Sequence, residues 1–213
     1  LLWLHILSKA KELGFYRPKA GYEINKLKPI LFKIDAKEFG IEYNNYSQPE
    51  NILKKAIELS PENEEAYCKL GWFYLKNGNY NQAENILRKA IEINPQNDEA
   101  YCELGEFYRD GGNYSQAENI LKKAIELNPE NDGAYCELGA LYRDNGDNDQ
   151  SKEMFKKAIE INPQNDEAYS ELGEVYRNEG KYIKARELYE KAVELNPEND
   201  EASHELGWIY RDD

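Results

Sequence analysis

Chemically capable residues recur in this chain every 34 positions. Cys68, Cys102 and Cys136 form one row. Glu103, Glu137 and Glu171 form a second, and Arg109, Arg143 and Arg177 a third. A fourth register holds Trp72, Glu106, Ala140, Glu174 and Trp208. Thiolates are nucleophiles and metal ligands. A row of carboxylates can hold Lys or Arg of a partner, and guanidinium groups clamp carboxylates or stack on aromatic rings. Tryptophan and arginine are over-represented among residues that anchor protein interfaces.

Catalytic and cofactor chemistry find no support elsewhere in the sequence. It has no phosphate loop and no nucleophile-elbow motif. His5 and His204 are the only histidines, and no Cys/His group has zinc spacing. Three cysteines cannot all pair within the chain. Packed helices lie about 8–10 Å apart, whereas a disulfide needs Cα atoms within about 7 Å. The thiols are therefore read as small apolar residues, not as a disulfide or a shared metal site. No enzymatic activity and no cofactor are expected. Free cysteines suit a reducing interior, which places the chain in the cytoplasm.

The formal net charge is −14. Phosphate backbones require concentrated Lys and Arg, so nucleic acid is a poor partner, while a basic polypeptide segment is attracted. The charge is uneven. Residues 1–50 hold eight Lys/Arg against six Asp/Glu, and residues 51–213 hold nineteen against thirty-five. Leu1–Leu7 is apolar but too short to cross a bilayer, and it lacks the flanks of a signal peptide. No membrane contact is expected of this segment. Met154 is the only methionine, so the chain is read as a piece of a longer protein or a processed product.

Short paired helices must position the rows. AYCKLGWFYLKNGNYNQAENILRKAIEINPQND begins at Ala66, and close copies begin at Ala100, Ala134 and Ala168 without insertion. In the second copy, Tyr101, Leu104 and Tyr108 share one face of a first helix. Gly112 suits the left-handed conformation that ends it. Ala117, Ile120, Leu121, Ala124 and Ile125 form the stripe of a second helix. Asn128-Pro129 stops that helix, and Asn131 or Asp132 can cap the next one.

This pattern resembles the tetratricopeptide repeat (TPR), a 34-residue helix–turn–helix unit. Tyr101, Leu104-Gly105, Tyr108, Gly112, Ala117, Leu121, Ala124 and Pro129 match its signature, and the copies around them do so over about residues 64–213. The third copy departs with Asn148 and Ser151, so its hairpin is expected to pack slightly less tightly. The resemblance implies an all-α fold, an α-solenoid of stacked antiparallel hairpins forming a right-handed superhelix. The repeats are placed at 64–97, 98–131, 132–165 and 166–199. Residues 44–63 nearly copy 112–131, so 29–63 is read as a diverged capping repeat with first helix at about 29–39 and second at about 47–60. Residues 1–28 are read as a helix over Leu1–Leu13 and an irregular stretch. Residues 200–213 form the first helix of an incomplete repeat, more apolar than a solvated cap, which allows end-to-end self-association.

In the TPR family the first helices line a concave groove that meets ligands. The resemblance places Trp72, Cys102, Glu103, Glu106, Arg109, Glu137, Arg143, Glu171, Glu174, Arg177 and Trp208 there. The glutamates are either a docking track for a basic segment or a solvated face with local pairs such as Glu106–Arg109 and Glu174–Arg177. The arginines either clamp ligand carboxylates or bridge adjacent repeats through Asp110, Asp144 or Asp212. Some relatives hold acidic C-terminal peptides with a Lys, Asn and Arg clamp. Cys68, Trp72 and Glu103 stand at those positions, so that mode is not expected. The leading expectation is a non-catalytic scaffold binding a polypeptide with a basic segment. The alternatives are a regulatory or recruiting arm of a larger enzyme, or a self-assembling scaffold.

Overall fold

The computed structural model describes residues 49–212. The helix expected over Leu1–Leu13 and the one at about 29–39 lie outside the described residues. The chain divides into two compact units, one ending at Pro95 and one beginning at Gln96.

In the first unit, α1 (Pro49–Leu59), α2 (Glu64–Lys76) and α3 (Tyr80–Ile93) follow one another. The second unit holds α4 (Asp98–Asp110), α5 (Tyr114–Leu127), α6 (Asp132–Asp144), α7 (Asn148–Ile161), α8 (Asp166–Asn178), α9 (Tyr182–Leu195) and α10 (Asp200–Asp212). The helices α2–α3, α4–α5, α6–α7 and α8–α9 pair as close hairpins. Within the second unit, α5 packs on α6, α7 on α8 and α9 on α10, and α6 also meets α4 and α8. Helical hairpins stacked in this way are TPR architecture.

Local chemistry fixes the starts of the first helices. Asn97, Asn131 and Asn165 cap α4, α6 and α8, their side-chain oxygens accepting from Ala100, Ala134 and Ala168 N–H at 2.9, 2.9 and 3.0 Å. Gly112 turns the chain between α4 and α5 at φ +73°, a conformation that penalises any residue with a Cβ. Close packing then follows from small residues facing large ones. A Cβ on Gly105 would lie 2.5 Å from Leu121 Cδ2, so only glycine admits that leucine. Leu121 is fully buried, and truncating such a side chain costs about 2–5 kcal/mol.

The hairpin of α6 and α7 is not loosened, contrary to the expectation from Asn148 and Ser151. Ser151 and Phe155 are both fully buried, and Phe155 carbons sit 2.9 Å from where a Gly139 Cβ would be. The larger phenyl ring fills the position that Leu121 holds one repeat earlier, and the small serine side chain still lets the helices approach.

Candidate interaction surface

The first helices of the second unit carry ten of the eleven candidate residues, and Trp72 lies on α2 of the first unit. Trp72 is half-buried, and its indole N–H has no hydrogen-bond partner among the described residues. Trp208 is half-buried on α10, its ring 6.0 Å from that of Tyr182.

Arginine and glutamate rows interlock across repeat boundaries. Arg109 on α4 reaches Glu137 on α6 at 3.1 Å, and Arg177 on α8 reaches Glu205 on α10 at 3.1 Å. Arg143 on α6 pairs with both Glu171 and Glu174 on α8. The arginine of one repeat thus meets the glutamate row of the next. The expected aspartates are secondary: Arg109 touches Asp110 at 3.0 Å on its own helix and Asp144 of the next repeat at 4.0 Å. Of the expected local pairs, Glu174–Arg177 closes to 3.7 Å. Glu106 is buried, and it is one of the charges that favour the guanidinium of Arg109.

Burial makes these charges interdependent. It works against the guanidinium of Arg109, but Glu137, Asp110 and Glu106 outweigh it and raise its pKa. Arg143 behaves likewise, with Glu171, Glu174 and Asp144 prevailing over burial. Arg177 is held charged against burial by Tyr189, Glu205 and Glu174. Glu171 is the exception. Burial pushes its carboxyl up to about 7; Arg143 opposes this, while Glu201, Glu174 and Glu167 add repulsion. Burial and Glu174 also raise Glu201. Around α8, Glu167, Glu171, Glu174 and Glu201 thus gather near Arg143 and Arg177.

The same physics disfavours the thiolate at two of the cysteines. Burial pushes Cys102 and Cys136 well above the ordinary thiol range, and neighbouring carboxylates add to it. Among the described residues, no disulfide joins Cys68, Cys102 or Cys136. Among the described residues, no group of three or more His, Cys, Asp and Glu could hold a metal ion. None of the described helices is long and apolar enough to cross a membrane.

Sequence reasoning missed a brace behind the face. Asp98 accepts from Asn128 at 2.9 Å and Asn131 at 2.7 Å. Asp132 does so from Asn162 and Asn165, and Asp166 from Asn196 and Asn199. The signal was present as an aspartate and two asparagines repeating in step at 30 and 33 residues' separation.

Comparison with known proteins agrees with this geometry. The family model of the cytochrome c-type biogenesis protein H TPR domain matches residues 84–203, more than half of the chain. A tetratricopeptide-repeat model matches residues 41–101. The chain belongs to the tetratricopeptide-repeat family. It is similar to MamA, with 31% identity over 70% of this chain and 86% of that one, at a TM-score of 0.55. It is also similar to PilF of Pseudomonas aeruginosa, with 25% identity over 70% of this chain and 68% of that one, at a TM-score of 0.63. A thermophilic TPR protein of Thermus thermophilus shares the fold at 24% identity, covering 76% of this chain and 89% of that one, at a TM-score of 0.70. No curated protein matches the sequence.

Proposed function

We propose that the chain is a non-catalytic scaffold whose first-helix face, over α4, α6, α8 and α10, binds a polypeptide segment carrying basic residues. The TPR fold itself points to protein–protein interaction. The observation that carries the sign of the partner is the carboxylate cluster around α8. Arg143 serves both Glu171 and Glu174, and Glu201 and Glu167 crowd the same place. A Lys or Arg supplied from outside relieves that repulsion. Glu103, half-buried on α4, extends the acidic row. The arginines are structural bridges in this reading, because each is already engaged by a glutamate of the next repeat.

Capture from source lysate tests it. The chain is immobilised beside a variant carrying Glu103→Gln, Glu171→Gln and Glu174→Gln, after circular dichroism shows both folded. The expected captured partner contacts the protein through a Lys/Arg-rich segment and is lost on the variant. Equal capture by both forms contradicts the proposal.

A further inference from the structure

The hairpin turn between α8 and α9 differs from its counterparts in ways that concentrate on one patch. Lysines from α7 and from the start of α9 converge on one ring. The ammonium groups of Lys152, Lys181 and Lys184 lie 6.0, 5.7 and 5.4 Å from the centre of Tyr176. Cations over an aromatic face are attracted to it, but they repel one another. Glu179 bonds Lys152 at 2.5 Å and Lys181 at 2.8 Å, and Asp149 bonds Lys152 at 2.9 Å. Lys184 is exposed and has no ion pair among the described residues. Beside it, Ile183 and Tyr182 are 70% and 48% exposed, with Trp208 against Tyr182.

The neighbouring repeats serve as internal controls. Where this turn has Lys181, Ile183 and Lys184, the unit 98–131 has Asn113, Ser115 and Gln116, and the unit 132–165 has Asp147, Asp149 and Gln150. Tyr142, the counterpart of Tyr176, donates to Glu118 at 2.9 Å, and Lys152 replaces that glutamate one repeat on. Positions that are neutral or acidic elsewhere thus become basic and apolar together, in a chain of net charge −14. A solvated turn needs neither an exposed isoleucine nor an unmatched lysine.

We propose that this turn is a second docking surface, which takes an acidic polypeptide segment with an apolar anchor. Its carboxylates pair with Lys184 and Lys181, and its apolar side chain covers Ile183 and Tyr182. Charge complementarity selects an acidic occupant. Together with the carboxylate-rich first-helix face, this gives one scaffold two surfaces of opposite sign, although the assignment of the turn does not depend on that face.

The probe is a fluorescein-labelled peptide of six glutamates around a central phenylalanine, titrated against the full chain by anisotropy. The variant Lys181→Asn, Ile183→Ser, Lys184→Gln installs the residues of the unit 98–131, so the fold already accommodates them. The variant is expected to bind at least about tenfold more weakly. Lys184→Gln alone, at an exposed position, is expected to weaken binding about threefold, which keeps the test valid should the triple variant melt early. Unchanged binding by the single variant, or by a folded triple variant, overturns the proposal. Binding to phosphatidylserine vesicles but not to the peptide overturns the polypeptide assignment.

Discussion

Asn131 Nδ2 donates to the carboxylate of Asp98 at 2.7 Å while its own Oδ1 accepts from Ala134 N–H at 2.9 Å. One side chain therefore caps α6 and ties it to the start of α4. Asn131→Ala removes both bonds and leaves Asp98 with Asn128 alone. A loss of about 1–3 kcal/mol is expected, from a lost cap and a half-satisfied carboxylate. Urea unfolding monitored by circular dichroism checks it. Asp98→Ala, which removes the other side of the brace, is expected to destabilise by a similar amount.

The same repeat position predicts different outcomes at two glycines. Gly105→Ala drives a methyl group to within 2.5 Å of Leu121, and overpacking of that kind costs about 1–3 kcal/mol. A Cβ on Gly207 meets nothing within 4 Å. Gly207→Ala is expected to be neutral or to stabilise by up to about 1 kcal/mol through helix propensity. Thermal melts are expected to show a lowered midpoint for Gly105→Ala and an unchanged or raised one for Gly207→Ala.

Glu171 predicts a pH dependence. Burial lifts its pKa from the ordinary 4.5 to about 7, so between these values the folded chain holds a proton that the unfolded chain has released. Its contribution to stability is full below 4.5 and is lost as pH rises through about 7. Glu171→Gln is expected to flatten this part of the stability profile and to raise the melting temperature at pH 8. An unchanged slope between pH 5 and 8 contradicts the assignment.

Much of the fold was legible because it depends on local order. Leu104, Tyr108, Gly112 and Asn131 announce helices, turns and caps within a few residues of one another. The site was legible only in part. Periodicity places Arg143 and Glu171 in rows and suggests that the arginines bridge adjacent repeats, but it points to aspartates as their partners. Stacking instead brings Arg143 to Glu171 of the next repeat. The Asp98–Asn131 brace and the ring of lysines about Tyr176 were missed for the same reason. Their partners come together only when separate helices pack, and single-helix periodicity is blind to that.

The central claim is that the carboxylate-rich first-helix face binds a basic polypeptide segment. Its most direct test is a calorimetric titration of the full chain with a peptide of lysines spaced around leucines, beside one with glutamate at each lysine position. The basic peptide is expected to bind with proton release at pH 7, as Glu171 gives up its proton to a new cation. Its affinity is expected to fall at least about tenfold in the Glu103→Gln, Glu171→Gln, Glu174→Gln variant. Equal affinity of the basic peptide for the native chain and the variant would contradict the account.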